Sequence, residues 1–246
     1  MQIIKYKKLK SNQYSLVLSN GKTLKTYEEI ILKYSLLLNK NLDAATINNV
    51  IKDNEEYDVY YTALNLLNRR AKTKKEIRDY LIRKEYNVDY IDKAITKLVN
   101  QNYLNDERYA NSYLNEQIVT TKHGPKKVSV GLLNKGVDKD IVNKVMENYT
   151  IDIQQEKVER IINTMLKSNK TKGPMLVKNK IITKLKLEGF DNSLITKEVS
   201  KLNLKTDQES YKKEYDKLHN KYKDKYSGTQ LEYFIKNKLY QKGFKQ

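Results

Sequence analysis

Leu132-Leu133-Asn134-Lys135-Gly136-Val137 decides the fold, because it occurs four times. Its counterparts are Leu81-Ile82-Arg83-Lys84-Glu85-Tyr86, Leu185-Lys186-Leu187-Glu188-Gly189-Phe190 and Leu239-Tyr240-Gln241-Lys242-Gly243-Phe244. The leading leucines fall at positions 81, 132, 185 and 239, so successive copies are 51, 53 and 54 residues apart. Each copy reads as a helix end. The Leu is the last core contact, and the Lys or Glu faces water. The Gly takes the left-handed conformation that closes a helix, and the apolar residue after it folds back onto the last turn. A period of this size marks a stacked helical array. Glu85 stands where the other copies have Gly, so the first of these helix ends must be made differently or carry strain.

The flanking sequence extends the pattern. After the first three copies comes a polar cap and a short apolar-periodic segment: Ile91, Ile95 and Leu98; Ile141 and Val145; Leu194, Ile195 and Val199. Asp138 and Asp191 read as caps, with Asn87 and Asp89 as alternatives in the first copy. Before each copy lies a longer helical stretch: Tyr57–Arg70, Asp106–Thr120, Asp152–Lys167 and Asp207–Lys225. Thr73-Lys74-Lys75-Glu76 is a capping box, and Pro125 and Pro174 each suit the first turn of a helix. Each unit is therefore three helices, and the fourth reaches Gln246 without room for its third. The expected fold is all-α: tandem three-helix repeats in an elongated array, at residues 57–104, 105–150 and 151–205, with a partial fourth repeat at 206–246.

Residues 1–56 read as a different extension. Ile3-Ile4-Lys5-Tyr6-Lys7 and Tyr14-Ser15-Leu16-Val17-Leu18 favour strands, and Asn20-Gly21 signals a hairpin turn. Thr26-Tyr27-Glu28-Glu29 has the form of a capping box, which predicts a helix from about Tyr27 to Leu38. Asp43 is placed to cap another short helix through Ile51.

Composition narrows the class. The 246 residues include 8 Gly and 2 Pro, too few for a barrel or sandwich of tight hairpins. With no Cys there are no disulfides, thiolate metal sites or Cys nucleophiles. No run approaches 18 apolar residues, and the first residues lack a signal-peptide core. We expect a cytoplasmic, soluble monomer that makes no membrane contact. Against 30 acidic residues there are 48 Lys and Arg, for a net charge of +18 and a pI near 9.6. That balance points to a polyanionic partner. The charge is uneven: net +3 over residues 1–56, +4 over 57–104, +1 over 105–150, +6 over 151–205 and +4 over 206–246.

Catalytic signals are sparse. His123 and His219 have no nucleophile or base motif around them, and no metal-ligand spacing, phosphate loop or dinucleotide fingerprint is present. The reading is a non-enzyme without a cofactor. The densest basic stretch holds Arg69, Arg70 and Lys72, with Arg78 and Arg83 after it. Arg forms planar bidentate contacts with phosphate or carboxylate, and this Lys-rich chain uses it sparingly. A second cluster, Lys126 and Lys127 beside Lys122, opens a helix where free N–H groups attract anions. A solvated helix end accounts for either cluster about as well. Tyr211, Tyr215 and Tyr222 read as a packing stripe rather than a base-stacking platform.

Leu104-Asn105-Asp106-Glu107-Arg108-Tyr109-Ala110-Asn111-Ser112-Tyr113 resembles the hallmark of the RecX family of RecA regulators. Gly124-Pro125-Lys126-Lys127-Val128 and the Leu132 copy follow at the family's distances, and Ala63–Arg70 with Thr73–Glu76 resembles its first repeat. The resemblance spans roughly residues 57–205. It implies binding along the groove of the RecA–single-stranded DNA filament and inhibition of its ATPase and strand exchange, in recombination, DNA repair and the SOS response. Double-stranded DNA is a second candidate partner. Lys127 stands where the family commonly has Arg. The N-terminal extension and the fourth unit go beyond the family's minimal pattern. Asp106, Tyr109 and Ala110 read as structural, with Asn105 or Asp106 starting a helix. The expected contacts with RecA or DNA are Arg69, Arg70, Lys72, Arg78, Arg83, Lys126 and Lys127. The alternative is a general basic DNA-binding helical-repeat protein without RecA contact.

Overall fold

The computed structural model describes residues 1–9, 12–38 and 41–244, so Lys245 and Gln246 of the expected fourth unit lie outside it. Strands β1 (Ile3–Lys8), β2 (Gln13–Leu18) and β3 (Thr23–Tyr27) form an antiparallel meander in that order. The Asn20-Gly21 turn forms as expected. Gly21 has φ +79°, its N–H donates to the Leu18 carbonyl at 2.9 Å, and the Lys22 N–H donates to Asn20 Oδ1 at 3.1 Å. Ile3, Leu16 and Leu18 pack against α1 (Glu28–Lys33) and the first half of α2 (Ala44–Arg69).

Two expectations for the extension are corrected. Thr26 does not open a capping box: β3 runs through Tyr27, which precedes α1 without a side-chain cap, and the helix ends at Lys33. Pairing of Gln13 with Tyr27 and of Tyr14 with Thr26 holds these residues extended, so the sheet overrides the local helix-start signal. Asp43 does cap a helix, accepting from the Thr46 N–H at 2.6 Å, but α2 continues past Ile51 to Arg69. Residues 44–69 contain no Gly or Pro to stop it. Its first part, through Val50, joins the sheet core, and its second, through Val59, Tyr60 and Ala63, joins that of the first repeat.

The repeat helices follow the sequence closely. The first unit adds α3 (Lys74–Arg83) and α4 (Val88–Asn100) to α2. Next come α5 (Asp106–Thr120), α6 (Pro125–Asn134) and α7 (Lys139–Met146), then α8 (Ile151–Ser168), α9 (Pro174–Glu188) and α10 (Asn192–Ser200). The last two are α11 (Gln208–Tyr222) and α12 (Gly228–Gln241). Asn87, Asp138 and Asp191 each accept a backbone N–H two residues on, which settles the cap of α4. Leu81, Leu132, Leu185 and Leu239 are all fully or almost fully buried, so the four copies occupy like environments. Tyr211, Tyr215 and Tyr222 pack against Leu218, Leu231 and Ile235, as the stripe predicts.

The chain divides into two compact units: Met1–Tyr109 with Lys135–Val137, and Ala110–Asn134 with Asp138–Gln246. The boundary falls inside α5. In the first unit, Ile77, Leu81, Ile91 and Leu98 form the repeat core; in the second, Val158, Ile181, Leu185, Phe190 and Ile195 do so for the third repeat. Among the described residues, no helix is long and apolar enough to cross a membrane.

Candidate polyanion interface

Of the glycines in the repeated stretch, Gly189 and Gly243 close their helices against another backbone, and Gly136 closes its own against the Lys75 side chain. Gly136, Gly189 and Gly243 have φ of +77°, +88° and +85°. A Cβ on Gly189 would lie 2.7 Å from the Lys127 nitrogen, and one on Gly243 would lie 2.4 Å from the Leu176 nitrogen. The facing helix starts are glycines too: a Cβ on Gly124 would meet the Gly189 carbonyl carbon at 2.8 Å, and one on Gly173 would meet that of Gly243 at 2.2 Å. The close approach is used for hydrogen bonds. Gly124 N–H donates to the Glu188 carbonyl at 2.7 Å, Lys126 N–H to Gly189 at 3.1 Å, and Met175 N–H to Gly243 at 3.1 Å. Orphan N–H groups at the starts of α6 and α9 thus meet orphan carbonyls at the ends of α9 and α12.

The first unit makes the same junction with side chains. Thr73 Oγ1 donates to the Lys135 carbonyl at 2.7 Å and accepts from the Glu76 N–H, while Glu76 Oε2 accepts from the Thr73 N–H. Lys135 Nζ lies 3.2 Å from Glu76 Oε1. Asn105 caps its own helix through the Arg108 N–H at 2.9 Å. Asp106, next in the hallmark, instead reaches across to α3 and accepts from the Lys74 N–H at 2.9 Å. Asp106 is buried, and burial pushes its carboxyl up from the usual value. Glu85 adopts φ +62° without being a glycine, so the left-handed end predicted to be strained is formed. Its side chain is exposed and borders a cavity of about 560 Å³ with Leu24, Asp58 and Tyr90.

These junctions determine what the expected contact residues do. Lys126 Nζ lies 3.1 Å from Asp191 Oδ2, and Lys127 Nζ 3.1 Å from Glu188 Oε2. Glu188 is buried and also accepts Lys184 at 2.6 Å. Burial opposes its ionisation, but the hydrogen bonds from Lys184 and Lys127 outweigh it and hold the carboxyl below the usual value. Hydrogen bonds from Ser193 and Lys126 hold Asp191 down at about 2. The start of α6 is therefore occupied by the chain's own carbonyls and carboxylates. Arg78 pairs with Asp92, and Lys72 lies 4.0 Å from Glu76. Arg69, Arg70 and Arg83 are exposed and have no carboxylate in ion-pair range among the described residues. Arg69 and Arg70 close α2 and Arg83 closes α3, where cations also suit the helix dipole.

No cluster of three or more metal-ligating side chains occurs among the described residues. His123 follows α5 with its Nδ1 2.8 Å from Gln117 Oε1, and His219 stacks on Tyr215. Three buried charges escaped the sequence: Glu188, expected to face water, Glu198, and Lys157 in α8, which donates to the Gln117 carbonyl at 2.8 Å and whose pKa burial lowers. A lysine in an amphipathic helix gives no sequence signal that it caps another helix's end.

Residues 60–98 match the first three-helix domain of RecX, and residues 105–146 match the second. Over 236 residues the chain is 30% identical to "Regulatory protein RecX" of Listeria monocytogenes serovar 1/2a, covering 94% of this chain and 87% of that protein. The protein of the same name from Oceanobacillus iheyensis is 27% identical over 221 residues, covering 88% and 81%. The crystal structure of RecX from Lactobacillus salivarius superposes with a TM-score of 0.58 at 30% identity, covering 61% of this chain and 98% of that one. A second crystal structure, of regulatory protein RecX, has a TM-score of 0.68 at 21% identity over 79% of this chain and 97% of that one. The Listeria coverage takes in most of the N-terminal extension and the fourth unit, so both are part of a pattern wider than the minimal one.

Proposed function

The chain belongs to the RecX family, and from that premise we propose that it inhibits RecA by binding along the groove of the RecA–single-stranded DNA filament. The observation that carries this reading is the shared sequence with a regulatory protein over 94% of the chain. The net charge of +18 supports it, because the filament exposes a polyanion along its length. Successive repeats at residues 57–104, 105–150, 151–205 and 206–246 would each touch a successive stretch of filament. Many weak contacts then add up, and bridging neighbouring RecA protomers slows their turnover. Of the proposed contact residues, Arg69, Arg70 and Arg83 have no carboxylate in ion-pair range among the described residues. Lys72, Arg78, Lys126 and Lys127 would have to exchange a carboxylate of their own chain for one on the partner, or for a phosphate. The protein acts without chemistry of its own, as a regulator in recombination and repair in the cytoplasm.

The test is DNA-stimulated ATP hydrolysis and strand exchange by RecA, with and without this protein. Both activities fall as the protein is added. Rates unchanged at saturating protein overturn the proposal. The alternative, a general basic DNA-binding helical-repeat protein without RecA contact, rests on the net charge of +18 alone and predicts binding to bare DNA as strong as to the filament.

A further inference from the structure

The N-terminal sheet carries charge of one sign. Residues 1–27 hold six Lys and no Asp or Glu. In the strand register Lys7 stands opposite Ser15 and Ser15 opposite Lys25, while Lys5 stands opposite Val17 and Val17 opposite Thr23. Opposed residues share a face, as do residues two apart along a strand. Lys5, Lys7 and Lys25 therefore lie on one face, and all three are exposed. Lys5 and Lys7 have no carboxylate in ion-pair range among the described residues. The other face of β1 carries Tyr6, opposite Leu16, which is fully buried in the core with Ile30 and Ile31. Tyr6 itself is 54% exposed, because β1 lies at the margin of that core.

β1 is an edge strand, with β2 as its neighbour in the sheet. Asn41 pairs with Gln2 ahead of it, and from Ile4 to Lys8 no described residue pairs with its outer side. The hydrogen-bond phase identifies the groups left over. Leu9 N–H donates to the Gln13 carbonyl at 2.8 Å. Pairs along an antiparallel ladder alternate between hydrogen-bonded and non-hydrogen-bonded. Lys7 with Ser15 and Lys5 with Val17 are thus hydrogen-bonded pairs, and Tyr6 and Lys8 turn their N–H and C=O groups outward. An extended chain laid beside β1 would bond to those groups, as in strand addition to a sheet edge. Its side chains would alternate, one set beside Lys5 and Lys7 and the other beside the Tyr6 ring. Lysines on an edge repel a second copy of the same strand and attract one bearing carboxylates. A nucleic acid fits less well: the exposed residues of the lysine face include no aromatic ring for bases to stack on.

We propose that the free edge of β1 is a docking site for an extended acidic segment of a partner protein. Carboxylates at alternate positions face Lys5 and Lys7, and small apolar residues between them cover Tyr6. The site does not rest on the filament reading, which concerns the repeats.

The experiment measures binding of the full-length protein to a fluorescein-labelled short peptide of alternating Glu and Val by anisotropy, with residue-resolved amide hydrogen exchange in parallel. The peptide binds, and the Tyr6 and Lys8 amides gain protection. Those of Lys5 and Lys7, already paired with β2, change little. Lys5→Glu/Lys7→Glu weakens binding about tenfold at an unchanged melting temperature. Lys212→Glu/Lys217→Glu, which lowers the net charge equally in α11, changes it less than about twofold. A peptide with Pro in place of Val keeps its charge but loses the paired N–H groups, and binds at least about tenfold more weakly. No binding, undiminished binding by Lys5→Glu/Lys7→Glu, or equal affinity for the Pro peptide overturns the site. Protection of Tyr6 and Lys8 that rises with protein concentration alone puts a second copy on the edge. Tighter binding of a single-stranded oligonucleotide, lost in Lys5→Glu/Lys7→Glu, makes the face a nucleic-acid site. Either result also overturns the acidic segment as occupant.

Discussion

The backbone nitrogen of Lys127 lies 2.7 Å from the point where a Cβ on Gly189 would stand. One residue thus carries two constraints: φ of +88°, which L side chains disfavour, and the start of the neighbouring helix pressed against it.

Gly189→Ala is accordingly expected to cost at least about 2 kcal/mol. The left-handed penalty alone is roughly 1–2 kcal/mol, and the backbone contact adds to it. Gly21→Ala has positive φ but open space around it, so it costs less. Glu85→Gly relieves the left-handed strain at the end of α3 and is expected to stabilise by up to about 1 kcal/mol. Denaturant unfolding of the three variants gives the order.

Asp106 holds the start of α3 from outside that helix. Asp106→Ala removes the acceptor for the Lys74 N–H at the start of α3 and should cost about 1 kcal/mol. Asp106→Asn keeps an acceptor and removes a buried charge, so it should stay within about 0.5 kcal/mol of wild type at neutral pH. The folded pKa of Asp106 is raised, so its ionised form is penalised on folding. That penalty is full above the folded pKa and disappears as pH falls below 3.8. The alanine–asparagine difference in urea midpoint at pH 7 checks the assignment.

Glu188 has the opposite sign. Its folded pKa is below the ordinary 4.5, so its pairing contributes stability that is fully present above 4.5 and lost as pH falls through the folded value. Glu188→Gln should destabilise at pH 7 and show a flatter acid limb below pH 4.5. Parallel acid limbs for variant and wild type would contradict this pairing.

The expected contact residues divide by role. Arg69→Ala/Arg70→Ala removes exposed groups without internal carboxylates, so filament affinity should fall about tenfold with little change in melting temperature. Lys127→Ala leaves Glu188 with one partner fewer, so it should lower the melting temperature as well. A melting curve beside each binding curve separates the two.

Much of this was legible in the sequence because helix ends are local. The left-handed glycine, the capping box at Thr73, the caps at Asp138 and Asp191, and Pro at the first helical position each act within a few residues. The Thr26 box failed because its competitor was not local: β2 pairs with Thr26 and Tyr27 and holds them extended. The length of α2 was hidden because its two halves serve different cores, so the apolar pattern shifts in phase near Tyr57 with no break in the helix. At the candidate interface, the sequence showed where the cations were but not which had partners. Lys127 meets Glu188 from 61 residues away. Asp106 looked like the start of its own helix, and its acceptor role toward Lys74 appears only when both helices are in place.

Binding to the assembled RecA–single-stranded DNA filament, compared with bare single-stranded DNA and with free RecA at matched salt, tests the central claim most directly. The account predicts tightest binding to the filament, with a shallower salt dependence than on bare DNA. Equal affinity for bare DNA and filament, with the same steep salt slope, would contradict it.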